Sequence, residues 1–103
     1  MIAPTRKSVR SLSVRELRNQ EAQHDSGAIV RSAGRENIEL EHQGRILTIG
    51  VDRGLGSDLY YLPASLSWDD GTPIPLETKA WIKEVITEVS VFWGSSAEFS
   101  DSE

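Results

Sequence analysis

The sequence predicts an α+β fold in which a small antiparallel sheet, a meander of three to five strands, is packed by one long C-terminal helix. Three observations support this class. Apolar and polar residues alternate from residue 28 onward, glycine-bearing turns separate the alternating runs, and a helical apolar pattern follows near the C-terminus. At 103 residues, the chain is expected to form one domain with a small core.

The strands are predicted from the two-residue period of the side chains. Around residue 40 the apolar side chains share one face of a predicted strand, whereas Glu39 and Glu41 share the other and are expected to face solvent. A Gln-Gly pair at 43–44 predicts a tight turn into the next strand. The predicted strands cover residues 28–33, 38–42, 45–52, 58–62 and 66–68.

The helix is predicted to begin near Leu76, shortly after two prolines, and to end by Gly94, which suits the position after a helix. At ~100° per residue, its large apolar side chains fall in an arc of roughly 140°, wide enough to pack on a sheet. These side chains are Trp81, Ile82, Val85, Ile86, Val89, Phe92 and Trp93. Trp68, ahead of the helix, is also expected in the core.

The two termini are predicted to differ from the central domain, residues 28–94. Residues 1–27 form a basic N-terminal arm that is expected to be disordered or partly helical. A capping box, Ser13-Val14-Arg15-Glu16, favours a short helix from Val14 to about His24. Residues 95–103 are acidic and serine-rich, and this tail is expected to be disordered.

Charge and composition exclude several classes of protein. The net charge is −5, but residues 1–35 hold seven basic and three acidic groups, whereas residues 36–103 hold four basic and thirteen acidic groups. The chain has no cysteine, so it has neither a disulfide nor a thiolate zinc site. No apolar run approaches the ~20 residues of a membrane span, so a cytoplasmic protein without a membrane partner is expected.

No pattern in the sequence predicts catalysis. The two histidines, His24 and His42, have no neighbouring nucleophile in the sequence. The glycine-bearing run 53–56 lacks the Lys-Ser/Thr ending of a phosphate loop and predicts a hairpin instead. Asp69-Asp70 lacks the spaced ligands of a calcium loop. We therefore predict a protein that is not an enzyme and that has no cofactor and no metal.

The acidic residues predict a surface for a protein partner. Carboxylates line one strand, flank the next loop and fill the turn before the helix, and an exposed tyrosine among them would supply an apolar anchor. The predicted partner-binding residues are Glu39, Glu41, Asp52, Asp58, Tyr60, Asp69 and Asp70. Nucleic acid is not the expected partner, because an acidic body repels phosphate.

The run 38–93 resembles the immunity proteins of bacterial polymorphic toxin systems, in particular the group called immunity protein 74. The shared features are the hairpin 38–51, the extended run 58–62, the step Leu66-Ser67-Trp68-Asp69, a proline-bearing turn, and a helix with Trp81, Ile82, Val85 and Ile86. The resemblance implies a protein that binds and neutralises a toxin domain, often a nuclease, made by the same cell. Its mechanism would be occlusion, with carboxylates pairing with basic toxin residues.

Two alternatives remain open at this point. One is a small adaptor or assembly protein that forms a homodimer through its sheet or helix. The other is a nucleic-acid-associated regulator that uses the basic N-terminal arm.

Overall fold

A computed structural model describes residues 13–100 of the protein, in which one seven-stranded sheet curls as a half-barrel and is packed by a single helix. The strands follow one another in chain order across the sheet, antiparallel from β1 to β6, and β7 pairs with β6 in parallel. The elements are β1 (Val14–Arg18), β2 (Glu21–His24), β3 (Ile29–Ser32), β4 (Asn37–His42), β5 (Arg45–Arg53), β6 (Ser57–Tyr61), α1 (Leu76–Phe92) and β7 (Ser96–Ser100).

The prediction of a small sheet of three to five strands is therefore wrong, since the sheet has seven strands and forms most of the described fold. The helix predicted between Val14 and His24 is wrong as well, because this stretch forms the β1–β2 hairpin. Its buried residues, Val14 and Ala22, are inward-facing strand positions rather than one stripe of a helix. The turn between the strands places Gln20 at a positive φ of 62°.

Strand β7 lies where the sequence predicted a disordered acidic tail. Ala97 and Phe99 pack against the hydrophobic core, and the Phe99 ring centroid is 5.9 Å from that of Tyr60. The strand follows α1, which provides the long connection that two parallel neighbours require. Residues 1–12 of the predicted arm and 101–103 of the predicted tail lie outside the described residues.

The central hairpin and the helix form where the sequence predicts them. Gln43 and Gly44 both have positive φ, 54° and 80°, as the two central residues of a type I′ turn require. The turn joins β4 to β5 in continuous antiparallel register. The helix starts at Leu76 and is followed by Gly94 in the left-handed region, with φ 87°.

One face of the sheet, here called the helix face, contributes most of the core. Helix α1 packs on β7 at one end of the sheet and on β2 and β1 at the other. The predicted core position of Trp68 is confirmed by its 7% exposure. The largest fully buried side chains include Ile38, Leu40, Leu47, Ile49, Tyr60, Leu62, Ile82 and Ile86. The opposite surface of the sheet, here called the outer face, carries the candidate site.

Candidate protein-binding face

Alternation along β4 and β5 brings acidic side chains to the outer face. Glu39 and Glu41 alternate with buried Ile38 and Leu40, so both carboxylates point away from α1. Across the strand pair, Glu39 stands opposite Thr48, and Glu41 stands opposite Ile46. Cross-strand pairs of this kind place their Cβ atoms about 4.5–5.5 Å apart.

The loop before the helix adds Asp69 to the same face. Its backbone N–H donates to the Ile46 carbonyl oxygen at 2.8 Å. Its carboxylate accepts hydrogen bonds from the Thr48 backbone N–H at 3.2 Å and the Thr48 hydroxyl at 2.9 Å. Three contacts thus fix Asp69 on β5, beside the position of Glu39.

Asp70 is held next to Asp69 by the shape of the turn. Its carboxylate accepts a hydrogen bond from the Thr72 backbone N–H at 2.9 Å, and the Arg45 Nε lies 3.6 Å away. These interactions, the Thr72 hydrogen bond first, hold the pKa of Asp70 below its ordinary value. Asp70 is therefore ionised and exposed at neutral pH.

Asp52 lies on the outer face too, further along β5. The Tyr61 hydroxyl donates a hydrogen bond to its carboxylate. This hydrogen bond raises the pKa of Tyr61 above its ordinary value, because the neutral hydroxyl is the donor. Four of the seven predicted partner-binding residues are therefore brought to one face: Glu39, Glu41, Asp52 and Asp69. Asp70 lies in the adjoining turn, where it contacts Arg45.

The remaining two predicted residues, Asp58 and Tyr60, point to the helix face. Tyr60 is 1% exposed, and its hydroxyl lies 3.0 Å from that of Ser90. Asp58 is 9% exposed, pairs with Arg53 at 3.5 Å and accepts the Gly54 N–H at 3.3 Å. Tyr60 is thus closed to a partner. The tyrosine on the outer face is Tyr61, because it alternates with buried Tyr60 and Leu62.

A single arginine connects several of the outer carboxylates. Arg31, on β3, pairs with Glu21 at 3.3 Å, with Glu39 at 3.5 Å and with Glu41. Its side chain is only 26% exposed. Arg18 also pairs with Glu21, at 2.9 Å, so two guanidinium groups order three carboxylates and leave them with excess negative charge. The charge pattern predicts the acidic residues, but no sequence signal predicts that Arg31 joins them.

Apolar groups accompany these charges. Ile46 is 36% exposed on the outer face. A groove of about 490 Å³ runs beside it and is lined in part by Gly50, Tyr61, Leu66 and Asp69. A face that carries apolar groups beside carboxylates is suited to a protein partner with a basic surface.

A larger open cleft, of about 1170 Å³, lies at the C-terminal end of the helix. The Arg53–Asp58 ion pair lies in its wall, and Trp93 is its largest aromatic group. Acidic and basic side chains both line it, including Glu16, Arg35 and Glu36. This mixture of charges selects no particular class of ligand.

His24 has partners that the sequence did not reveal. Its Nε2 lies 2.8 Å from a Glu88 carboxylate oxygen, and its Nδ1 lies 2.8 Å from the Ser26 hydroxyl. The order serine, histidine, carboxylate resembles a hydrolase triad. However, the Ser26 N–H also donates to Nδ1, and the Asp25 and Gly27 N–H groups donate to backbone carbonyls.

The amides of residues 25–27 are therefore not available to stabilise an oxyanion. The structure supports a different role for the His24–Glu88 contact, which joins β2 to α1. The second histidine, His42, stacks on Trp81 with 4.7 Å between ring centroids. Within residues 13–100, no three histidine, aspartate or glutamate side chains are placed to hold a metal ion.

The same described part of the chain contains no helix with the length and apolar character needed to cross a membrane. Comparisons with protein-family models, with curated proteins and with solved structures return no match.

Proposed function

We propose that this chain is a non-enzymatic immunity protein of the bacterial cytoplasm, which binds a basic toxin domain through the outer face of its sheet and occludes it. The observation that carries the proposal is the gathering of Glu39, Glu41, Asp52 and Asp69 on one face, beside exposed Ile46 and half-buried Tyr61. The resemblance of the run 38–93 to immunity proteins supplies the class of partner.

The charge of the whole molecule supports the same proposal. Residues 13–100 contain fourteen acidic and eight basic side chains, so the described body repels nucleic acid and attracts basic proteins. A nuclease toxin presents basic residues to bind phosphate. An acidic face that covers those residues would block the substrate and would speed association by electrostatic steering.

The first experiment identifies the partner. The tagged full chain is expressed in its source cell, and the proteins that co-purify with it are identified. Recovery of a toxin domain supports the proposal, whereas recovery of further copies of the chain alone supports the homo-oligomeric adaptor. Nucleic-acid recovery would favour the regulator that uses Arg6, Lys7 and Arg10, which lie outside the described residues.

The second experiment locates the interface. The double variant Glu39→Gln/Glu41→Gln removes two outer charges and is expected to slow association with the captured toxin by about tenfold at low salt. The matched control, Glu77→Gln/Glu84→Gln, removes the same charge from exposed helix positions. Stopped-flow or surface-binding kinetics measure the association rate of each double variant. Equal slowing of association by the two variants would show that the outer face is not part of the interface.

A further inference from the structure

A glycine forms part of the floor of the groove on the outer face. Gly50 lies within the nine-residue strand β5, where glycine gives no side-chain packing and is costly in entropy. A Cβ atom built there would meet the Tyr61 ring at 3.6 Å, an ordinary contact, and Gly50 is not among the glycines with positive φ. The backbone therefore does not require glycine, and the consequence of glycine is an open groove.

The walls of the groove are fixed by hydrogen bonds. Tyr61 stands across from Gly50 in the adjacent strand, and its hydroxyl is held by Asp52. Pro63 and Leu66 continue the apolar lining. Asp69 lies at the groove and is held by Thr48.

The charge on the residues that line the groove is negative. None of the described residues that line it is basic, and Asp69 is among them. Asp52 holds the hydroxyl of the lining tyrosine, and Glu39, which pairs with Arg31, stands opposite the lining residue Thr48. Asp69 uses two of about four acceptor positions on its carboxylate for Thr48, so it can accept further hydrogen bonds.

We propose that this groove binds an arginine side chain presented by the protein partner. The aliphatic stem would pack on Tyr61 and Leu66, and the guanidinium would meet the carboxylate of Asp69. Arginine suits the groove better than lysine, because a planar guanidinium stacks on an aromatic ring and donates two parallel hydrogen bonds to a carboxylate. The identity of the partner as a basic toxin rests on the proposed function, whereas the groove can be tested without it.

The test is an NMR titration of the full chain with a blocked Gly-Arg-Gly peptide. Saturable shifts are expected at the amides of Gly50, Tyr61 and Asp69. A peptide with citrulline in place of arginine has nearly the same shape without the charge, and it is expected to bind at least tenfold more weakly. The affinity of the Gly-Lys-Gly peptide is expected to lie between those of the arginine and citrulline peptides.

Two variants test the groove itself. Gly50→Val fills the floor with a residue that favours strands, and Asp69→Asn removes the charge while keeping an acceptor for Thr48. Each variant is expected to bind the arginine peptide at least tenfold more weakly than the natural chain does. Glu77→Gln, which removes a charge at the start of the helix, is the control and is expected to leave binding unchanged. Thermal unfolding of each variant verifies the fold.

Absence of saturable shifts in the groove, equal binding of the citrulline peptide, or unchanged binding by both variants would overturn the proposal. These outcomes are separate from those for the proposed function. A toxin complex without arginine binding at the groove would refute only the groove. Arginine binding at the groove, without a toxin partner from the source cell, would refute only the immunity function.

Discussion

At the scale of single residues, Arg31 has the greatest effect on the outer face. Glu21, Glu39 and Glu41 converge on its guanidinium from two neighbouring strands, β2 and β4. Without this cation, Glu21 would keep its ion pair with Arg18, but Glu39 and Glu41 would have no basic partner within residues 13–100. The arginine therefore allows an acidic face to exist on a stable sheet.

Arg31→Ala is expected to lower the free energy of unfolding by about 1–2 kcal/mol at low salt, because three neighbouring carboxylates lose a shared cation and repel one another more strongly. The loss should shrink between about 0.05 M and 1 M NaCl, as salt screens the repulsion. Urea unfolding measures it. Arg35→Ala is the control, since Arg35 has no ion pair within residues 13–100. A loss that is independent of salt would assign Arg31 a packing role instead.

Tyr60 gives a prediction for alkaline pH. Burial raises the pKa of Tyr60 above its ordinary value, and the Ser90 hydrogen bond opposes this with a smaller effect. In the unfolded chain, tyrosine loses its proton near pH 10. Above that pH the unfolded state has released a proton that the folded state still holds, so stability is full below about pH 10 and falls as the pH rises further.

In the variant Tyr60→Phe, the free energy of unfolding is expected to depend less steeply on pH above about 10. The variant also loses the contact with Ser90, so its stability at pH 8 should already be lower by about 1 kcal/mol. Denaturant unfolding across the pH range measures both effects. Equal slopes for the variant and the natural chain would contradict a buried, neutral Tyr60.

At the scale of elements, the long and regular segments were predictable. The alternation of 38–42 and 45–52 is uninterrupted and is joined by a turn pair with a known geometry, and the helix has a wide apolar arc. Strands β1, β2 and β7 were not predictable by the same signals. Each of these strands has one or two inward-facing apolar residues among polar or charged ones. The strand conformation of β1 and β2 depends on a hairpin that contains a bulge, and that of β7 depends on pairing with β6, which is distant in the sequence.

The candidate site was predictable to a similar degree. Glu39 and Glu41 followed from alternation alone, because their own strand decides which way they point. Asp69 could not be placed from the sequence, because its position depends on a hydrogen bond to Thr48, 21 residues away. Tyr60 alternates with buried Leu62 along the chain, so the strand period itself predicts an inward side chain rather than the exposed position expected of a partner-binding residue.

Removal of β7 tests how much the last strand contributes. A chain ending at Ser95 loses the parallel pairing with β6 and the contact of Phe99 with Tyr60. Its free energy of unfolding is expected to fall by at least about 3 kcal/mol. A chain ending at Ser100, which lacks only residues 101–103, is the matched control. Thermal and urea unfolding measure both, and equal stability of the two chains would show that β7 does not stabilise the fold.

At the scale of the whole molecule, the helix unites the two ends of the half-barrel. It packs on β7 at one end and on β1 and β2 at the other, where the His24–Glu88 contact adds a polar link. The β1–β2 hairpin, which the sequence predicted to belong to an arm, is continuous with the rest of the sheet. The acidic outer face therefore extends over one continuous sheet.

Hydrogen exchange is expected to show this continuity. Amides of β2 should exchange through the same global opening as those of β5, with the same dependence on denaturant, because both strands contribute to one core. Mass spectrometry or NMR under native conditions measures the exchange. Opening of β2 at a much lower free energy than β5 would identify residues 13–27 as a separate unit.

The irregularity in β1 has a consequence for how the protein avoids misassembly. The register of β1 with β2 shifts between Glu16 and Arg18, and Leu17, at 42% exposure, is the extra residue. An outermost strand with unpaired backbone groups is a template for aggregation with another chain, and a bulge with charged flanks is a common protection against it. Within residues 13–100, β1 pairs with β2 alone, and this bulge makes its open side a poor surface for fibril growth.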